Sequence, residues 1–132
     1  MTDIPPIRIT AEQFTTALEA AVEARGADYV YPADTESGIR ACYYRDGDEP
    51  LCLVGDALSR ILTPEQFVQY VPNRVGPSYQ PLASGLLRDK FVVDSDVIWA
   101  VDSAQAAQDG GAPWGKALGK YKDALTGWWS EQ

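Results

Sequence analysis

The chain has 132 residues, 45% apolar and 23% charged, which suits one globular domain able to bury its own core. Nineteen acidic against eleven basic residues leave a net charge of −8, which sets the protein against direct binding to nucleic acid or to an anionic membrane. Residues 1–60 hold 11 acids and 5 bases, a net of −6, and residues 61–132 hold 8 and 6, a net of −2, so the charge is polarised toward the N-terminal half.

Residues 1–8, with Pro5-Pro6, read as an extended arm. The N-terminus has no apolar h-region and no apolar run approaches a membrane span, so the expected location is the cytoplasm, the host cytoplasm if the chain is phage-encoded. Thr10 with Gln13 three residues later forms a capping box, and Ile9 with Phe14 forms its hydrophobic staple. Phe14, Ala17, Leu18, Ala21 and Val22 follow at helical spacing until Gly26 ends the helix. Tyr29 to Tyr31 reads as a short strand, and Asp34 to Gly38 as a turn. Arg40 to Arg45 and Leu51 to Val54 read as a hairpin across Asp46-Gly47-Asp48-Glu49. A loop of residues 46–48 would set Arg45 opposite Glu49 and Cys42 opposite Cys52.

Gly55 marks the hairpin exit, and Asp56 is placed as cap of a short helix ending near Leu62. Thr63, Pro64 and Gln66 make a second capped start, with Leu62 and Phe67 as staple. Val71 to Pro81, with three prolines, is a loop, and Pro81 to Lys90 a short helix. Asp94 or Ser95 caps a longer helix with the stripe Val97, Ile98, Val101 and Ala104, which Gly110-Gly111 ends. Pro113 opens the last helix, whose apolar positions are Trp114, Ala117, Leu118, Tyr121, Leu125 and Trp128. The expected fold is α+β: a mostly helical single domain over 1–132, about five helices packed around a small antiparallel β-hairpin.

The chemistry open to this chain is narrow. There is no histidine, which removes the commonest general base, serine-type triads and histidine-containing zinc sites. The glycines match neither a Walker A loop nor a dinucleotide fingerprint. Asp94 with Asp96, or Asp46 with Asp48 and Glu49, offer hard-cation oxygens, but a helix cap and a solvated turn account for them better; no metal and no cofactor is expected. Cys42 and Cys52 are expected as small core residues, thiols in a reducing compartment, although the sequence leaves open whether they pair. Cys52, near a helix start, is the better nucleophile of the two. Trp129 falls off the apolar stripe of the last helix and is a candidate partner-binding anchor, as is Tyr79 in the proline-rich loop.

Two stretches carry a resemblance. They are Cys42-Tyr43-Tyr44 through Pro50-Leu51-Cys52-Leu53-Val54-Gly55-Asp56-Ala57-Leu58, and Ser103-Ala104-Gln105-Ala106-Ala107-Gln108-Asp109-Gly110-Gly111-Ala112-Pro113-Trp114-Gly115-Lys116-Ala117-Leu118. Together they resemble small uncharacterised proteins of actinobacteria and their bacteriophages, which share a Cys-(Leu/Ile)-Val-Gly hairpin exit and an Ala-Gln-x-Ala-Gln-Asp-x-Gly-x-x-Trp helix junction. The resemblance implies a phage or actinobacterial origin and no catalysis.

The leading expectation is a non-enzymatic accessory protein, phage or mobile-element encoded, that binds a protein partner, such as a host protein, in the bacterial cytoplasm. A homodimer through the C-terminal tryptophans is a further arrangement. The second expectation is an acidic nucleic-acid mimic, since residues 28–56 hold seven acids against Arg40 and Arg45. The third is a small enzyme using Cys52 or carboxylates.

Overall fold

Helix α1 (Ala11–Arg25) begins as its capping box dictates. The Thr10 hydroxyl accepts from the Gln13 amide at 3.1 Å, and the Gln13 side chain accepts from the Thr10 amide at 2.8 Å. Gly26 closes it at φ 99, where a side chain would be strained. The computed structural model describes residues 7–31, 43–73 and 83–130, the side chains of 127–130 apart. Within them α1 is followed by the short antiparallel strands β1 (Arg45–Asp46) and β2 (Glu49–Pro50), then by α2 (Leu53–Ile61), α3 (Pro64–Tyr70) and α4 (Ala83–Lys90). The strand β3 (Phe91–Val93), α5 (Ser95–Asp109) and α6 (Trp114–Ser130) complete the chain, and a further strand, β0 in position, precedes α1 at Ile7–Ile9.

The expected mostly helical α+β fold is thus what the structure shows, with six helices among the described residues. Ile7 and Arg8, expected at the end of an extended arm, form together with Ile9 a strand paired in parallel with β3, Ile7 opposite Phe91 and Ile9 opposite Val93. This pairing joins segments some eighty residues apart and leaves no local trace beyond short β-branched runs. Ile9 and Phe91 are buried against the helices.

Three other expectations change. Tyr29 to Tyr31 is not a strand; the Tyr29 carbonyl accepts the Trp114 amide at 2.8 Å, and the Ala27 carbonyl accepts the Gly115 amide at 2.9 Å. Two unpaired amides at the start of α6 are capped by the turn after α1. The hairpin is one residue out of the expected register: Arg45 faces Pro50 and Asp46 faces Glu49. Gly47 at φ 63 permits a two-residue loop, Gly47-Asp48, in place of three. The second strand also stops early. Leu53 opens α2, with Cys52 as its N-cap and Asp56 inside its first turn.

The core is one cluster. Phe14, Leu18, Tyr44, Leu53, Leu58, Leu87, Trp114 and Tyr121 are all fully buried, and α5 runs between α4 and α6. Trp114 packs its ring edge-on to Tyr29, with centroids 4.8 Å apart, and the Arg25 guanidinium lies over both rings. Thr15 on α1 shares a 2.8 Å hydrogen bond with the Tyr121 hydroxyl on α6, and Lys122 pairs with Glu19 beside it. The expected turn at 34–38, the strand residues 40–42 and the proline-rich loop at 74–81 lie outside the described residues.

Candidate functional site

The glutamines of the Ala-Gln helix junction are buried, and each closes the start of another helix. Gln105 Oε1 accepts the Ala83 amide at 2.8 Å, and Asp102 Oδ1 accepts the next amide, Ser84, at 3.0 Å. Gln108 Oε1 accepts the Leu53 amide at 2.8 Å. The first amides of α4 and α2 have no partners within their own helices, so α5 supplies them from its side. The remaining donors are also placed: Gln105 Nε2 donates to the Tyr44 hydroxyl at 3.0 Å, and Gln108 Nε2 to Asp109 Oδ1 at 3.0 Å. A buried polar group left unpaired costs about 1 to 3 kcal/mol, so this network explains why glutamine stands at two core positions.

Part of that network reaches the outer face of α5. Trp99, Asp102, Ala106 and Asp109 stand at i, i+3, i+7 and i+10, one stripe of the helix. Trp99 is 59% exposed, the most open large apolar side chain among the described residues. Asp102, Gln105, Ala106 and Asp109 line a cavity of about 340 Å3 on the same stripe. Neither aspartate joins an ion pair among the described residues. Partial burial raises the Asp109 carboxyl above its usual value of 3.8, opposed by the Gln108 hydrogen bond. An exposed indole on one helix stripe with two carboxylates that join no ion pair among the described residues suits a cationic partner: the ring face attracts a cation and the carboxylates pair with one.

The raised Asp109 value has a consequence for stability. The folded state holds that proton more tightly than the unfolded chain, so stability falls as pH rises from 3.8 through the folded-state value. Asp109→Asn removes this term. Urea melts of the two proteins from about pH 3 to about pH 7 should therefore diverge, the variant becoming the more stable toward neutrality. Parallel curves would contradict the assignment.

The residues expected from sequence fare differently. Trp129 lies in the last turn of α6 with its side chain outside the described part, and Tyr79 lies outside the described residues. Cys52 is not a thiol: it is disulfide-bonded, fully buried, and its sulfur caps the Gly55 amide at 3.5 Å. A nucleophilic role for it is thereby corrected, because a sulfur in a disulfide has no thiolate to attack with. Asp94 is the N-cap residue of α5 without a side-chain cap bond, and Asp96 Oδ1 accepts the Val97 amide. No three metal-binding side chains come together among the described residues.

At the hairpin, Arg45 neutralises none of its acidic neighbours. Its guanidinium donates to the carbonyls of Val71, Val68 and Gly47 at 2.6 to 2.7 Å, closing the C-terminus of α3. Asp46, Asp48 and Glu49 stay exposed. Trp99 is the residue that the sequence reading passes over. Its signal is legible, since it falls outside the stripe Val97, Ile98, Val101 and Ala104 that turns toward the core.

Comparison with family models, curated proteins and solved structures finds no match to this chain.

Proposed function

We propose that the protein acts by binding a protein partner through the outer stripe of α5, with Trp99 as anchor and a basic side chain of the partner received beside Asp102 and Asp109. The carrying observation is the exposure of Trp99 on the same helix stripe as a cavity lined by two carboxylates that join no ion pair among the described residues. Aromatic anchors dominate interface energetics, and the net charge of −8 would steer a basic partner toward the protein. The resemblance to actinobacterial and phage proteins supports a bacterial accessory role. Disulfides persist in oxidising compartments, so the disulfide at Cys52 weighs against a reducing cytoplasm as the setting.

The test is affinity capture from an actinobacterial lysate with wild type, Trp99→Ala and Asp102→Asn, after nuclease treatment. A basic protein held by wild type should bind Trp99→Ala at least about 30-fold more weakly, as expected of an anchor worth about 2 kcal/mol. The Tm and far-UV spectrum should be unchanged, because the side chain is exposed. Equal capture by wild type and Trp99→Ala would remove α5 from the interface.

A second reading, a nucleic-acid mimic, draws on the hairpin tip, where Arg45 is committed to carbonyls and three carboxylates face outward. It requires binding that DNA competes for and that Asp46→Asn with Asp48→Asn abolishes. Retention of the partner by that double variant favours α5.

A further inference from the structure

A second recess lies between α1 and the last turn of α2. It has a volume of about 450 Å3, within the range of small-molecule sites. Ala17, Ala20 and Ile61 supply its apolar surface, and Arg60 and Glu12 its charges. Arg60 is held in place. Its Nε–H donates to Asp56 Oδ1 at 2.7 Å, and Asp56 is 4% exposed, so one edge of the guanidinium is anchored in the core margin. Its two terminal nitrogens have no protein acceptor among the described residues, and the side chain is 38% exposed. Glu12 is exposed and joins no ion pair among the described residues.

We infer that this recess binds a small zwitterion with an apolar side chain, a free α-amino acid in chemical class, its carboxylate on the free edge of Arg60 and its ammonium toward Glu12. The charges select that class. Asp56 already neutralises Arg60 and Glu12 adds a negative charge, so a plain anion meets a net repulsion. A plain cation leaves the guanidinium edge without a partner. A guanidinium presenting two parallel N–H groups matches a carboxylate in geometry as well as charge. The apolar lining of Ala17, Ala20 and Ile61 accommodates an aliphatic side chain.

The experiment is amide shift mapping of the full chain titrated with L-leucine, N-acetyl-L-leucine and L-leucinamide, which carry both charges, the carboxylate only and the ammonium only. Leucine should shift Thr16, Ala20 and Ile61 saturably, and each single-charge probe should bind at least about tenfold more weakly. Glu12→Gln, an exposed and structurally undemanding change, should erase the preference for leucine over N-acetyl-leucine. Arg60→Lys should weaken all carboxylate probes while keeping the pair with Asp56. Shifts elsewhere, no saturation at millimolar leucine, or equal binding of the three probes would overturn the assignment. Trp99→Ala leaves this recess untouched, so failure here is separable from failure of the α5 interface.

Discussion

Replacing Gly55 by alanine is expected to destabilise the protein by about 3 kcal/mol or more, although alanine is the better helix former. Gly55 sits in the first turn of α2, and the backbone of Tyr44 crosses directly over it. A Cβ there would collide with the Tyr44 carbonyl oxygen and lie 2.8 and 2.9 Å from its carbonyl carbon and Cα. Neither side can yield cheaply. The Tyr44 carbonyl accepts the Leu51 amide at 3.1 Å, its ring is fully buried, and its hydroxyl is held by Gln105. Gly85 in α4 is the matched control, since nothing lies within 4 Å of a Cβ placed there. Gly85→Ala should stabilise by about 0.5 to 1 kcal/mol through helix propensity and lost unfolded-chain entropy. Urea denaturation of both variants decides the matter; a loss below about 1 kcal/mol for Gly55→Ala would show that the Tyr44 segment moves freely.

The second large effect is expected from the glutamines of α5. Gln105→Leu removes the acceptor of the Ala83 amide and the donor to the Tyr44 hydroxyl, and Gln108→Leu removes the acceptor of the Leu53 amide. Each should cost about 2 to 3 kcal/mol, the penalty for a buried helix-start amide, Ala83 or Leu53, that loses its acceptor, rather than the net value of the bond. The origin can be separated by a cycle with Tyr44→Phe. Gln105 Nε2 donates directly to the Tyr44 hydroxyl, so each single change already breaks that bond and the double variant should lose less than the sum of the two. Strict additivity would mean that the bond between Gln105 and Tyr44 contributes nothing to stability. Losses under about 0.5 kcal/mol for both leucine variants would show that α5 is not what closes α2 and α4.

The reading of this chain succeeds where its signals are local. The capping boxes at Thr10 with Gln13 and at Thr63 with Gln66 form as written, because donor and acceptor stand three residues apart and need nothing else. Gly26 and the glycine pair at 110–111 end helices for the same reason, and the stripes of α1 and α5 are buried as their spacing dictates. The sequence reading passes over Trp99, although a helical wheel alone places it off the core stripe.

Tertiary structure decided the rest. The strand at Ile7–Ile9 exists only because Phe91–Val93 lies beside it. Leu53 begins a helix instead of extending a strand because Cys52 and the distant Gln108 together cap its first amides. Arg45 closes α3 across more than twenty residues and so leaves the hairpin carboxylates bare. In each case a backbone donor or acceptor at an element's end lacks a local partner. Many side chains in the sequence could supply one, and only the packing of the helices selects which does. The cavity beside Asp102 and the recess beside Arg60 follow the same logic, because each is bounded by side chains that helix packing, and not chain order, brings to its rim.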